Sequence, residues 1–244
     1  IFLFLNQSLD QERINLLLMI SLGSIAFYSV GLIDDIFDIS PYPRLTAQIF
    51  FSFFVYQSGI SFLNIDSSFV LANFINLIST ILWIVGITNA MNWFDGLDGL
   101  ASGISIISIS SFALIFFVNQ DYLNSLICIS LIGGIIGFLK YNFYPSKIIM
   151  GDCGSNLLGF NLATISMINI SNPSYVNSFT DKNRIIISLL FLLIPLFDMV
   201  YVIFKRLINK RSPFYPDNYH LHHRLMNIGF SHRKTVYLIY MIHH

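Results

Sequence analysis

Four short clusters in this chain hold the residue types that work on charged oxygen compounds. They are "DDIFD" (34–38), "NAMNWFDGLDGL" (89–100), "MGDCGSN" (150–156) and "HLHH" (220–223). Asp34 and Asp38 would share a helix face, with Asp35 turned about 100° away. Solvated acids at a helix end are the bland reading of that triplet. Acids beside a membrane-crossing run are otherwise functional candidates, because they gain little unless paired or bound to a cation. Asn89, Asn92, Asp95 and Asp98 recur at every third position, a row that drifts about 60° per step on a continuous helix. Gly96 and Gly99 interrupt such a helix and permit close backbone approach. These oxygen donors suit a hard cation such as Mg²⁺. A calcium loop of the EF-hand type fails, because positions three and five counted from Asp95 are Leu97 and Gly99. A plain turn remains the alternative.

The other two clusters complement this chemistry. In "MGDCGSN", Asp152 is an acid among glycines, and Ser155 and Asn156 suit the start of a helix. Amides at a helix N-terminus attract phosphate, and Asp152 is placed to hold a metal that phosphates share. His220, His222 and His223, with Arg224 beside them, fit zinc or di-iron ligation or a bound phosphate or diphosphate. No HExxH is present, nor the several spaced histidine boxes of membrane di-iron enzymes. His232 lies outside this cluster and reads as a solvated surface residue. Asp198, inside the apolar "IPLFDMVY", needs a partner that the sequence does not name. Acids for a metal, glycine-bearing loops and basic groups together make a phosphoryl-transfer site.

The elements that carry these clusters are apolar. Of 244 residues, 55% are hydrophobic and 11% charged, with mean hydropathy +0.69. A soluble domain carries about 25% charge, so the composition is that of a membrane protein. Net charge is zero, which argues against nucleic acid as a partner. Cys128 reads as a small core residue and a disulfide framework is not expected. Seven runs have lengths suited to crossing a bilayer: Ile14–Ile33, Leu45–Leu63, Phe69–Thr88, Gly99–Val118, Leu123–Leu139, Ser155–Ile170 and Ile185–Phe204. The sixth is short and broken by polar residues. The expected class is all-α, a polytopic bundle with about seven complete transmembrane helices. Residues 1–5 read as the tail of an earlier span, and another begins near Val236. The absence of an initial Met and the apolar end predict a single transmembrane domain over 1–244, cut at both ends.

Side assignment follows from counting. With seven crossings, Lys and Arg divide ten to three between the two sides. The richer side is then cytoplasmic, and all four clusters fall on it. The exterior loops "NIDSS" and "NQDY" are short and bland.

The stretches "GLIDDIFDISPYPRLTAQI", "WIVGITNAMNWFDGLDGLASG", "MGDCGSNLLGF" and "SPFYPDNYHLHHRL" resemble, in order and over nearly the whole chain, the polyprenyl-phosphate N-acetylhexosaminyl-1-phosphate transferases. The resemblance implies ten or eleven transmembrane helices around a cytoplasmic cleft in the bacterial plasma membrane. It implies transfer of a sugar-1-phosphate from a UDP-N-acetylhexosamine to undecaprenyl phosphate with Mg²⁺ or Mn²⁺, releasing UMP. It admits a homodimer. By this resemblance Asp34 deprotonates or orients the lipid phosphate, with Asp35 beside it. Asn92 and Asp152 are the metal ligands. Asn89, Asp95, Gly96 and Asp98 belong to the nucleotide loop, and His220, His222, His223 and Arg224 contact the diphosphate. Asp38 stands where the muramyl-pentapeptide branch has Lys, and His-Leu-His-His replaces its three consecutive histidines. Both departures point to the branch that initiates O-antigen, enterobacterial common antigen or teichoic acid. Ile149 stands at a commonly aromatic position. A transporter or channel is the rival reading. It requires polar groups through the membrane depth and on both faces, whereas spans two to five are nearly free of ionisable residues.

Overall fold

The computed structural model describes residues 11–63, 65, 69–171, 181–215 and 217–243. The expected tail at residues 1–5, most of the "NIDSS" loop and His244 lie outside the described residues. Among those described there are ten α-helices and no strand: α1 Gln11–Phe37, α2 Pro41–Gln57, α3 Val70–Phe94, α4 Leu100–Val118, α5 Tyr122–Asn142, α6 Gly151–Ser171, α7 Asp181–Phe191, α8 Leu193–Ile208, α9 Leu221–Asn227 and α10 His232–His243. Helices follow from composition, because a backbone crossing lipid must satisfy its own amides and carbonyls.

Each of the seven apolar runs forms helix, but seven complete spans is not the count that length and apolarity support. Four helices are long and apolar enough to cross a membrane: α1 (over Arg13–Phe37), α3, α4 and α5. A fifth crossing is made if α7 and α8 count as one span, bent by 76°. The bend has a cause in the chain. Pro195 has no amide to give the carbonyl of Phe191, one turn earlier. Ser108 Oγ in α4 donates to that freed carbonyl at 2.7 Å.

α2 has 17 residues. α6 is long enough but polar: Asn156, Asn161, Thr164, Ser166 and Asn169 are all buried along it. It is the inner helix of the bundle, packed along α1 and α3 and touching α4 and α7. Its polar groups bond to neighbours: Trp83 Nε1 donates to Ser166 Oγ at 2.8 Å, and Asn161 pairs with Ser24. In a bilayer such bonds are worth about 0.6 kcal/mol each. α6 therefore escapes an apolarity criterion while sitting deepest.

Two glycines set how closely α6 is approached. A Cβ on Gly31 of α1 would lie 2.2 Å from the Asp152 carbonyl oxygen, and one on Gly159 would lie 2.5 Å from Thr88 Cα in α3. Backbone contact at these crossings brings the ends of α1 and α3 against the start of α6. Phe27 stacks on Phe160 at 4.6 Å below the first crossing.

Candidate active site

The end of α1 and the start of α2 make the first half of the site. α1 stops at Phe37, and Asp38 takes a left-handed φ of 49°. Asp38 is thus off the helix, correcting the expected face shared with Asp34. Pro41 opens α2 after a short link, and Arg44, in the first turn, returns over Asp34. One guanidinium nitrogen donates to Asp34 Oδ2 at 2.5 Å and to Asp152 Oδ2 at 2.9 Å. Asp34 is only 7% exposed, so its charge requires this partner. Sequence reasoning counted Arg44 among loop cations and missed this role. Its place one helical turn into the element after an acid pair was the available signal.

α3 supplies the second half. Asn92 Nδ2 donates to Asp152 Oδ1 at 2.7 Å and to Ser155 Oγ at 2.9 Å, both in the first turns of α6. The row of every third residue ends as the glycines predict, because α3 stops at Phe94. Asn89, one turn deeper, is buried and donates to Gln48 Oε1 at 2.7 Å, and Gln48 in turn donates to Asn156 Oδ1. Asn89 thus lies in a polar chain across α2, α3 and α6.

Asp35 does something that the sequence did not suggest. Its two carboxylate oxygens accept the amides of Asp152 at 2.7 Å and Cys153 at 2.9 Å. It caps α6, where an anion also meets the positive end of the helix dipole. The expectation that these amides stand free for phosphate is corrected, because a carboxylate from α1 holds two of them. Gly151, at φ +66°, leaves room for it: a Cβ there would lie 2.8 Å from Asp35 Oδ2.

The loop after α3 is tied down at its far end. Asp98 Oδ2 accepts the amide of Ser146 at 3.0 Å. Asn142 Oδ1 accepts from Gly99 N and Ser102 Oγ, and its Nδ2 donates to the Ile148 carbonyl. Asn142, absent from the sequence-based set, thus fixes both the acid loop and the segment leading to Asp152. Gly99 takes a left-handed φ of +79° where the chain turns into α4. Asp95 carries the clearest electrostatic mark. Burial, then the charges of Asp152 and Asp98, push its carboxyl up to about 7. Burial and the neighbouring Asp34 push Asp152 up to about 6, against the pull of Asn92 and Arg44.

The histidines approach from the other side. His222 is 1% exposed, and a Cβ on Gly96 would lie 2.2 Å from its Nε2. The missing side chain of Gly96 is what admits the ring. Burial and then the neighbouring His223 and His220 hold His222 down at about 3, so the ring is neutral. Among the described residues neither of its nitrogens has a hydrogen-bond partner. His223, held below its ordinary value by burial, packs on it at 4.3 Å. His220 bonds Asp198 at 2.7 Å, which supplies the partner that the buried acid needed. Arg224 is exposed and lies over the Tyr201 ring at 4.7 Å. Arg206, buried at the end of α8, stacks on Trp93 at 4.8 Å and pairs with Asp217 at 2.5 Å, folding the segment before His220 onto the end of α3. His232 is half-buried against Tyr144 at 4.4 Å, not a solvated surface residue.

Asp34, Arg44, Asp152, Asn92 and Ser155 therefore form one bonded network, and Gly96 joins the histidine segment to the acid loop. Residues 17–170 match the family model described as "Glycosyl transferase family 4". This chain belongs to that family. It is 40% identical over 111 residues to a "Probable undecaprenyl-phosphate N-acetylglucosaminyl 1-phosphate transferase" of Bacillus subtilis (strain 168), covering 46% of this chain and 29% of that protein. Proteins named "Undecaprenyl-phosphate alpha-N-acetylglucosaminyl 1-phosphate transferase" give longer matches. The one from Haemophilus influenzae is 33% identical over 94% of this chain and 65% of its own length, and that from Pasteurella multocida 35% over 95% and 66%. The chain thus spans from under a third to about two thirds of the curated relatives it matches.

In this family member the matched segment contains Asp34, Arg44, Asn92, Asp95, Asp98 and Asp152, and the histidines lie beyond it. Among the described residues no group of three or more His, Cys, Asp or Glu is arranged to hold a metal. The donor set nonetheless fits a hard cation. Asn92 uses its amide hydrogens on Asp152 and Ser155, which leaves its oxygen for a ligand. Asp34 and Asp152 share one guanidinium, and Asp95 feels the charges of Asp152 and Asp98, an excess of acidic groups that a divalent cation would balance. As a multi-pass helical membrane protein of this family, the chain places that excess where several helices end together.

Proposed function

We propose that the whole protein transfers an N-acetylhexosamine-1-phosphate from a UDP-sugar to undecaprenyl phosphate. An oxygen of the lipid phosphate bonds to the sugar-bearing phosphorus of the donor, the bond to the bridging oxygen breaks, and UMP leaves with the electron pair. The product is an undecaprenyl diphosphate sugar, the first membrane intermediate of a cell-envelope polysaccharide. The observation that supports this most is the network in which Arg44 joins Asp34 to Asp152 while Asn92 holds Asp152 from the other side. The names of the relatives agree with it.

Within that reading Asp34 orients the lipid phosphate, and Asp35 holds the start of α6 so that Asp152 keeps its place. Asn92 and Asp152 hold Mg²⁺, which when bound neutralises charge on the phosphates. Asp95, Gly96 and Asp98 form the nucleotide side, and His220, His222, His223 and Arg224 the diphosphate side. A direct attack needs only charge neutralisation and positioning, the two means on which phosphoryl transfer rests. The clusters end α1, end α3, open α6 and follow α8. They share a face if α1, α2, α3, α4, α5, α6 and the α7–α8 pair each cross once, and we place that face in the cytoplasm of a bacterial plasma membrane.

A panel of UDP-N-acetylhexosamines tests the reading. Full-length protein in membranes should release UMP from one of them only when undecaprenyl phosphate and Mg²⁺ are both supplied. Absence of release across the whole panel would sink it.

A further inference from the structure

Asp198 has no task in the reaction as written, yet it is buried and both of its oxygens are bonded. It lies in α8, 4% exposed, in the apolar stretch "IPLFDMVY". A carboxylate in such a place is costly unless partnered. Both of its oxygens are spent on the histidine segment. Oδ2 lies 2.7 Å from His220 Nδ1, and Oδ1 accepts the Leu221 amide at 2.6 Å. An ionised carboxylate only accepts, so this bond assigns the ring proton to Nδ1. The ring is also held on its faces: it stacks on His222 at 5.6 Å and meets the edge of Trp93 at 6.3 Å. Among the described residues its second nitrogen, Nε2, makes no hydrogen bond.

We propose that Asp198 is a positioning residue: it holds the His220 ring with Nδ1–H turned inward and balances the charge of a ring protonated at both nitrogens when substrate binds, so that Nε2–H is the group donated to the diphosphate of the nucleotide sugar. The proposal rests on the transferase reading above. A carboxylate behind an imidazole fixes its orientation and tautomer and balances charge on the ring. The second oxygen adds a cap at the start of α9, on which His222 and His223 ride. The apolar helix α8 thereby sets both the direction of one histidine and the start of the turn that carries the other two.

The test uses the full-length protein in lipid nanodiscs. Asp198→Asn keeps an oxygen for the Leu221 amide but turns an amide hydrogen toward Nδ1, so it reverses the ring hydrogen bond, removes the charge that balances a doubly protonated ring, and spares the cap. The expected result is a kcat lower by about ten- to a hundredfold, with KM for the UDP-sugar changing far less. The double variant D198N/H220A should be no slower than H220A alone, since a residue that acts through another adds nothing once that other is gone. Additive losses, or full activity in D198N, would overturn the proposal. Nitrogen spectra of histidine-labelled protein, assigned with His220→Gln, read the tautomer without turnover. Nδ1 of His220 should carry a proton in the wild type and lose it to Nε2 in D198N; a wild-type ring protonated at Nε2 alone, with Nδ1 bare, would overturn the proposal. If the wild type shows no transfer, the transferase reading fails and the spectra alone decide whether Asp198 orients His220. If D198N does not accumulate, the wild-type spectra carry the test.

Discussion

Asp34 and Asp152, from helices far apart in the sequence, share a single guanidinium nitrogen of Arg44. The shared cation makes the pair of acids tolerable at the end of the bundle. It also makes Arg44 the residue whose loss the site should feel first.

Arg44→Ala leaves two neighbouring carboxylates without compensation. Unpaired, part-buried charge costs about 2 kcal/mol, which thermal unfolding in detergent will register as a lower midpoint. Mg²⁺ should raise the midpoint more in Arg44→Ala than in the wild type, because a cation bound only to the folded state replaces the missing charge. An equal Mg²⁺ effect in both would show that the acids are not its site.

Asp35→Ala removes the cap of α6. Loss of a side-chain cap costs about 1 kcal/mol, and Asp152 would lose the carboxylate that fixes its amide. The variant should unfold earlier and need more Mg²⁺ for turnover. Asp35→Asn, which still accepts one amide, should fall between it and the wild type in a melting curve.

Gly96→Ala would drive a methyl group into His222 Nε2. The ring, not the backbone, must move, so folding should survive while turnover drops by about tenfold or more, the cost of a small misplacement at a reacting centre. Wild-type rates in Gly96→Ala would mean that the position of His222 is unimportant.

The pH dependence that Asp95 contributes has a definite sign. Asp95 binds its proton more tightly in the folded chain, at about 7 against 3.8. Between those values Asp95 holds more proton in the folded state than in the unfolded one, so its contribution to stability falls as pH rises from about 4 to 7 and levels off above, while His222, held at about 3 against 6.5, contributes in the opposite sense up to about 6.5. In metal-free protein the melting point of Asp95→Asn relative to the wild type should therefore rise between about pH 5 and pH 8, because the variant lacks the falling contribution. A difference between variant and wild type that stays constant or falls over the same interval would contradict the environment assigned to Asp95.

The reach of the sequence differed between elements for physical reasons. α1, α3, α4 and α5 were legible because lipid demands unbroken apolar length, which the residue string displays directly. α6 showed only as a short run broken by polar residues, because its asparagines and serines are satisfied by Trp83, Ser24 and Ser188 on other helices. The bend after Phe191 could be suspected from Pro195, but its stabilising partner, Ser108, could not. In the site, residue types and spacing picked out Asp34, Asn92, Asp95, Asp152 and the histidines. Pairing escaped: Arg44 with Asp152, Asp35 with the α6 amides and His220 with Asp198 all depend on which helices are neighbours. Helical periodicity names a face but not what it faces.

The most direct measurement follows the phosphorus. Full-length protein, undecaprenyl phosphate and Mg²⁺ are incubated with UDP-N-acetylglucosamine, or another UDP-N-acetylhexosamine, labelled at the sugar-bearing phosphate. The label should move into the lipid phase as UMP appears in equal amount, and Asp152→Asn should slow this while raising the Mg²⁺ requirement. Label that stays with the nucleotide for every donor, or an Asp152→Asn variant with unchanged rate and Mg²⁺ requirement, would contradict the proposed function.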